Sequence, residues 1–185
     1  MEEMSVKASV APAIPAEPAA QGATARDLRE WVARMEAIGQ LQRIEEEVDP
    51  NEEMGAITYM AHQTLNAPAL LFERIRGCPP GFRSLWNPLG SSVDRFAFSV
   101  GEPTGLTVMD LIQRCKTRFN RTIPPVMVDG RDAPVNTHHM IGDAVDVTIF
   151  PAARHWPGDG GPYIGTCDAI LTRDPDAGWI NVGTY

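Results

Sequence analysis

The sequence PGDGGPYIGTCDAILTRDPDAGWINVGTY, residues 157–185, carries the strongest structural signal in the chain. A glycine loop at 158–161 leads into a β-branched, apolar run, which predicts a strand over 163–172. Aspartate, proline and glycine then crowd into residues 174–178, and each favours a tight turn for a separate reason. A returning strand is predicted over 179–185, so the whole stretch indicates a β-hairpin that follows a glycine loop.

Composition narrows the class of protein to which the chain can belong. It has 185 residues, of which 43% are apolar, and a formal charge of −8. A negative chain repels phosphate backbones, so we expect no nucleic-acid partner. Three cysteines without paired spacing argue against a disulfide framework, and no apolar run is long enough for a membrane span or a signal peptide. The expected location is cytoplasmic.

Upstream of the hairpin, the chain divides into three predicted regions. Residues 1–24 are rich in alanine and proline without a periodic apolar face, which predicts a disordered leader. Residues 25–135 alternate helical and strand-like patterns, typical of a mixed α/β domain. Residues 136–185 read as antiparallel β structure.

The local patterns predict individual elements with capping and stop signals. The first predicted helix begins at Thr24, with Asp27 completing the cap, and stops at Gly39. The second begins at Asp49, with Glu52 completing the cap, and its buried stripe reaches Leu65. A third begins near Arg95, and a fourth begins at Thr107, with Asp110 completing the cap. The predicted strands are Leu41–Val48, Ala69–Ile75, Ser84–Asn87, Val126–Val128 and Val145–Ile149.

Several residues are of types that bind metals or phosphate or take part in catalysis. For most of them the local sequence favours a purely structural role instead. The glycine loop leads into a strand instead of a helix, which favours a tight connection over a phosphate cradle. His138 and His139 are adjacent and would point to opposite faces of a strand, and His155 lacks a third ligand at zinc spacing. Cys115 and Cys167 are expected to be buried structural thiols.

Longer motifs resemble one known family. These are W-P-G-D-G-G-P-Y-I-G-T at 156–166, L-T-R-D-P-D-A-G at 171–178 and N-V-G-T-Y at 181–185, with N-P-L-G-S at 87–91 and R-F-A-F-S-V-G at 95–101 in the same order upstream. Together they resemble the UbiD-like decarboxylases over residues 25–185. The terminal motif is the specific one, and the upstream motifs are individually weak.

The resemblance implies a fold, a reaction and a cofactor. The fold would be an N-terminal mixed α/β domain followed by the first strands of an FMN-binding split β-barrel. The reaction would be the reversible non-oxidative decarboxylation of an aromatic or α,β-unsaturated carboxylic acid, in a carboxy-lyase that uses prenylated FMN. The parent enzyme would form a homo-oligomer, either a dimer or a hexamer, without a membrane or nucleic-acid partner.

The resemblance also implies site residues at matching positions. Asn181 would be a ligand of a divalent metal ion, usually Mn²⁺, and an amide oxygen suits such a hard ion. Thr166, Gly183, Thr184 and Tyr185 would contact the flavin or its phosphate. Val182 would offer its backbone carbonyl to a monovalent ion such as K⁺.

No catalytic residue is expected within the chain. The arginine of the family signature would follow Tyr185, and the other metal ligands and the acids of the family also lie further on. The resemblance therefore implies a truncated N-terminal portion that is inactive alone. Two alternatives stay open: an accessory or regulatory subunit of such an enzyme, and a flavin-binding module without decarboxylase activity.

Overall fold

The computed structural model describes residues 25–124 and 126–184. The leader predicted at 1–24 and the cofactor contact predicted at Tyr185 therefore lie outside the described residues. The described elements, in chain order, are α1 (Leu28–Ala37), β1 (Leu41–Val48), α2 (Glu53–His62), β2 (Ala69–Ile75), β3 (Ser84–Trp86), α3 (Val93–Ser99), α4 (Val108–Phe119), β4 (Ala169–Arg173) and β5 (Ile180–Thr184), with single 3₁₀ turns at Pro134–Asn136, Gly142–Ala144 and Val147–Ile149.

A three-stranded sheet organises the N-terminal part of the molecule. β1 and β2 run parallel and are joined through α2, while β3 pairs antiparallel with β2, which gives the order β1–β2–β3. The predicted bounds of β1 and β2 are confirmed, and β3 ends one residue earlier than predicted. β2 is buried along most of its length, as expected for a central strand covered on both faces.

Two helices cover the two faces of this sheet. Trp31, Val32 and Met35 of α1 pack against Ala69 and Leu71 of β2. On the opposite face, Met54 of α2 packs against Leu70 and Phe72 of β2. Because neighbouring residues of a strand point to opposite faces, the apolar run of β2 supplies both cores.

Local signals placed the end of α1 and the start of α4 correctly. The Asp27 carboxylate accepts from the backbone N–H of Glu30 at 2.8 Å, so Asp27 itself caps α1 and the helix begins later than the start expected at Thr24, which lies outside the described residues. Gly39 takes the left-handed conformation with φ of +70°, as expected for the stop. Thr107 caps α4 through the N–H of Asp110 at 3.2 Å, as predicted. The third helix begins at Val93, capped by Ser92, earlier than the expected start at Arg95.

The start of α2 differs from the prediction. The Asp49 carboxylate accepts from the N–H of Asn51, while the N–H of Asp49 donates to the Glu53 carboxylate at 2.6 Å. Glu52 is the cap residue, without a side-chain cap bond and with φ of +71°. The helix ends at His62, so Leu65 lies beyond it and is exposed instead of buried.

Two predicted strands are absent from the described residues. Val126–Val128 is irregular and exposed, and Val145–Ile149 contains a 3₁₀ turn over Val147–Ile149 in place of a strand. The Asp146 carboxylate accepts from the N–H of Thr148 at 2.9 Å, a local bond that competes with strand pairing. An alternating pattern alone does not hold a strand where no partner strand is adjacent.

Candidate functional site

The hairpin predicted from the terminal motif forms as β4 and β5. The two strands pair antiparallel from Ala169 opposite Thr184 to Arg173 opposite Ile180. The Asp174 carboxylate accepts from the N–H of Asp176 at 2.9 Å and of Ala177 at 2.6 Å, and Gly178 has φ of +73°. The turn is therefore built by the residues that the sequence singled out. β4 is shorter than predicted, because the chain from Tyr163 to Asp168 is not strand.

The site residues predicted on β5 divide between its two faces. Asn181 and Gly183 alternate with Val182 and Thr184, so the first pair shares one face and the second pair the other. Gly183 is half-buried, while the other three are exposed. Asn181 lies opposite Thr172, and Gly183 lies opposite Ile170. The hairpin thus places the predicted metal ligand and the predicted glycine contact side by side on one surface.

Thr166 lies in the chain just before the hairpin. It is exposed and lies three residues before Ala169, which pairs with Thr184. Asn181 is three residues along β5 from Thr184, about 10 Å at the rise of an extended strand. Along the chain, Thr166 therefore adjoins the Thr184 end of the hairpin.

Cys167 corrects one prediction. It is exposed, lies outside β4 and has φ of +59°, whereas a buried strand position was expected. Cys115 is buried in α4 as expected. All three cysteines are free thiols.

The chemistry of the β5 surface fits a hard metal ion only in part. The Asn181 amide makes no hydrogen bond to the described residues, so its oxygen is free to act as a ligand. Within residues 25–124 and 126–184, no group of three or more His, Cys, Asp or Glu side chains could hold a metal ion. This part of the chain thus offers one suitable oxygen, and a complete metal site needs further ligands.

The surface also fits a flavin in part. Gly183 has no side chain, so a flat ring could approach the backbone of β5 closely there. The Thr166 and Thr184 hydroxyls make no hydrogen bond within the described residues and are available to phosphate oxygens.

The glycine loop is fixed by its own aspartate. The carboxylate of Asp159 accepts from the N–H of His155 at 3.1 Å and from the N–H of Trp156 at 2.9 Å. No helix follows the loop among the described residues, in agreement with a tight connection. A Cβ placed at Gly158, Gly160 or Gly161 would meet open space, so no neighbouring group presses on this loop.

Sequence reasoning missed a cluster of aromatic rings beside this loop. The His155 ring lies between the rings of Trp86 and Tyr163, with centroids 4.3 Å and 4.2 Å away. The Tyr163 hydroxyl and His155 Nδ1 are 2.7 Å apart and share a hydrogen bond. Burial lowers the pKa of His155, against a smaller opposing effect of the Asp159 carboxylate. His155 is therefore a ring-stacking residue whose Nδ1 is already engaged, and it belongs to no group of three or more possible metal ligands among the described residues.

The segment that carries His155 is joined to the α/β part through backbone pairing. Arg154 donates its N–H to the carbonyl of Pro50 at 3.1 Å and accepts from the N–H of Glu52 at 2.8 Å. Ala153 is 2% exposed and belongs to the core cluster that contains Met54 and Phe72. Because Asn51 and Arg154 are 103 residues apart in sequence, no local pattern could have indicated this pairing.

A separate groove of about 540 Å³ lies between α1 and the loop before β3. Its walls include Val32, Leu71, Phe82 and Leu85, with Arg43 at the side. The Arg43 guanidinium is already paired with the carboxylates of Glu36 and Glu73. None of the predicted cofactor or metal residues lines this groove.

Comparison with known proteins identifies the family to which the chain belongs. Two family descriptions match consecutive parts of the chain: the 3-octaprenyl-4-hydroxybenzoate carboxy-lyase N-terminal domain over residues 32–115, and the Rift-related domain of the same enzyme over residues 126–185. The chain belongs to the UbiD family.

Curated relatives agree with this assignment. The chain is 31% identical over 170 residues to ferulic acid decarboxylase 1 of Candida dubliniensis, a match that covers 83% of this chain and 32% of that protein. It is 33% identical over 164 residues to pyrrole-2-carboxylic acid decarboxylase of Pseudomonas aeruginosa, covering 84% of this chain and 32% of that protein. The chain therefore spans about a third of the length of these relatives.

Solved structures of similar proteins share the fold. The vanillic acid decarboxylase of Sedimentibacter hydroxybenzoicus superimposes with a TM-score of 0.77 at 29% identity, covering 88% of this chain and 36% of that chain. An evolved dimeric form of the UbiD-class enzyme HmfF from Pelotomaculum thermopropionicum, in complex with prFMN, gives a TM-score of 0.68 at 31% identity, covering 86% and 35%. The mixed α/β fold is thus that of the N-terminal portion of a UbiD enzyme, as the motifs predicted.

Proposed function

We propose that this chain contributes the first part of the cofactor site of a prenylated-FMN-dependent decarboxylase. The observation that carries the proposal is the β4–β5 hairpin, which presents the free amide of Asn181 beside the half-buried Gly183 on one face. The UbiD membership of the chain and the prFMN complex of one similar structure support the same cofactor.

Each proposed contact has a chemical reason. The Asn181 amide oxygen is one ligand of Mn²⁺, which prefers oxygen donors. Gly183 lets the flavin approach the backbone, and the Thr166 and Thr184 hydroxyls bind its phosphate. The Val182 carbonyl would bind a monovalent ion such as K⁺, and Tyr185 would contact the flavin or its phosphate. When bound, prenylated FMN supplies the electron sink for loss of carbon dioxide.

The proposed substrate is an aromatic or α,β-unsaturated carboxylic acid. The curated relatives are named for ferulic acid and pyrrole-2-carboxylic acid, which are both unsaturated acids with a conjugated carboxylate. We propose a cytoplasmic, homo-oligomeric parent enzyme, either dimeric or hexameric. No helix among residues 25–124 and 126–184 is long and apolar enough to cross a membrane.

The proposed decarboxylase function also implies a division of the chain into domains. We propose an α/β domain over residues 25–135 and the start of the split barrel over 136–185. The sheet of β1, β2 and β3 lies wholly in the first part, and the hairpin of β4 and β5 lies wholly in the second, which supports a boundary between them.

Titration of the purified 185-residue chain with prenylated FMN, followed by flavin fluorescence with and without Mn²⁺, tests the cofactor site. We expect binding that Mn²⁺ strengthens, and Asn181→Ala should remove the Mn²⁺-dependent part because it removes the ligand oxygen. Gln113→Ala, at an exposed amide on α4, is the matched control and should bind as the unchanged chain does. Equal Mn²⁺ dependence in the Asn181→Ala chain would contradict the assignment.

An assay of decarboxylase activity tests the proposal that the chain supplies only the first part of the cofactor site. Since the chain spans about a third of its relatives and offers one metal ligand among the described residues, we expect no decarboxylation by the 185 residues alone, even with prenylated FMN and Mn²⁺. Carbon dioxide release from an unsaturated acid by the purified chain would show that these residues contain a complete site.

An accessory subunit is the second candidate, and the exposure of the hairpin favours it. All five residues of β4, and four of the five residues of β5, are exposed, which leaves a surface on which a partner could pack. Addition of the chain to a full-length UbiD enzyme should then change the turnover of that enzyme. Flavin binding without such an effect would instead favour a simple flavin-binding module.

A further inference from the structure

Residues 152–163, here called the latch segment, fasten the glycine loop to the α/β part of the molecule. Its first half is held by the buried Ala153 and by the backbone bonds of Arg154 to Pro50 and Glu52. Its second half returns at Tyr163, whose N–H donates to the carbonyl of Ala153 at 3.1 Å. Beyond Tyr163, the chain runs through Thr166 into the exposed hairpin. The latch segment therefore directly precedes the stretch of chain that leads into the hairpin.

His155 is the central contact of the latch segment. Its ring stacks between Trp86 of β3 and Tyr163, and its Nδ1 shares a hydrogen bond with the Tyr163 hydroxyl. Its backbone carbonyl lies against α2, where a Cβ at Gly55 would be only 2.5 Å from that oxygen. The imidazole thus joins β3 to both ends of the latch segment.

The surroundings of the ring are mostly uncharged. β3 contributes Trp86 and α2 contributes Gly55, neither of which can ionise. Asp159 is the nearby carboxylate, and it already accepts two backbone N–H groups of the same loop. The other nearby charges, Arg154 and Glu52, are paired with each other at 3.1 Å. A proton added to His155 would therefore enter a half-buried stack, where the Asp159 carboxylate offsets only part of the cost of burying the charge.

We propose that the latch segment is a pH-sensitive device, which holds the glycine loop and the base of the hairpin on the α/β part while His155 is neutral and releases them when it is protonated. The direction follows from linkage. Because burial lowers the pKa of His155 in the closed latch, the open latch binds a proton more readily. Closure is complete above the pKa of a free histidine and weakens as the pH falls through and below it.

Hydrogen exchange of the 185-residue chain without flavin tests the latch directly. The amide protons of Arg154 and Tyr163 report closure, because both donate across it. After correction for intrinsic exchange, we expect their protection factors to fall by at least about threefold between pH 7.5 and pH 5, since each unit of pKa difference is a tenfold change in closure. The amide of Phe72 in the sheet core should change less over the same range.

Two variants distinguish opening of the latch segment from a general loss of stability at low pH. His155→Phe keeps a stacked ring but cannot titrate, so its protection factors should not depend on pH. His139→Phe removes an exposed histidine elsewhere and should keep the pH dependence of the unchanged chain. Direct titration of the His155 imidazole by ¹⁵N NMR, compared with the same chain in urea, gives a second measurement if His155→Phe fails to fold.

Three outcomes would overturn the proposal. They are protection that stays constant with pH, protection that falls equally in His155→Phe, and protection that rises on acidification because the stacked rings stabilise the imidazolium. The consequence for cofactor binding rests on the proposed function, but the latch is measured without flavin. A chain that binds no flavin can therefore still confirm the latch.

Discussion

Arg95 is a fully buried charged residue within the α/β part, with none of its surface exposed. It has no carboxylate partner among the described residues. Its Nε donates to the carbonyl of Pro88 at 2.9 Å, and its two Nη atoms donate to Gln40 Oε1 at 2.9 Å and to the carbonyl of Ala67 at 2.7 Å. Burial lowers its pKa, yet an arginine stays protonated at neutral pH. The guanidinium therefore ties three loops together through neutral oxygens.

Replacement of Arg95 tests this role. Arg95→Met leaves buried carbonyl groups without donors, so we expect the free energy of unfolding in urea to fall by about 3 kcal/mol. Arg29→Met is the matched control, because the Arg29 side chain is 87% exposed and should cost less than about 0.5 kcal/mol. Equal stability of the two variants would show that the Arg95 hydrogen bonds add nothing to the fold.

At the scale of secondary-structure elements, the contact between α2 and the latch segment joins the two parts of the chain. It forms at Gly55, where the backbone of His155 approaches the helix, and it continues at the helix surface, where the rings of Tyr59 and Trp156 meet edge to face at 5.4 Å. A glycine inside a helix costs about 1 kcal/mol relative to alanine. The close approach explains why this position is a glycine.

Gly55→Ala should therefore destabilise the protein, although alanine has the higher helix propensity. Its Cβ would collide with a backbone oxygen that cannot move without shifting the latch segment, so we expect a loss of about 1–3 kcal/mol in the free energy of unfolding. Ala56→Gly, at the next and exposed position, should lose about 1 kcal/mol through propensity alone. A more stable Gly55→Ala chain in urea unfolding would mean that the latch segment does not pack on α2.

On the scale of the whole molecule, apolar surface is unevenly distributed. The sheet with α1 and α2 buries its apolar residues in two clusters, whereas the hairpin exposes Leu171 at 69% and Val182 at 62%. These two residues pair directly across β4 and β5 and share one face. A two-stranded hairpin with an uncovered apolar face is a site for association.

We expect the 185-residue chain to self-associate as its concentration rises, through this hairpin face. Leu171→Lys combined with Val182→Lys should shift the weight-average sedimentation coefficient toward the monomer value. Ala37→Lys combined with Gln113→Lys adds the same charge at exposed helix positions and serves as the control. If both double variants behave alike, net charge and not the hairpin face governs association.

The sequence by itself determined the elements whose signals are local. The bounds of β1 and β2, the left-handed stop at Gly39 and the turn at 174–178 follow from apolar runs, caps and turn residues that act over a few positions. The terminal motif, a run of nearly consecutive residues, also identifies the family.

Only the tertiary structure decided the features that depend on distant partners. Val145–Ile149 alternates like a strand but is not one, because no neighbouring strand within residues 25–124 and 126–184 supplies hydrogen bonds. The ring of His155 stacks against Trp86, which lies in a different part of the chain, so no local pattern indicates this role. Arg95 finds its acceptors on loops that are brought together only by folding. Local propensity fixes how a segment begins and ends, whereas burial and long-range pairing fix what each side chain meets.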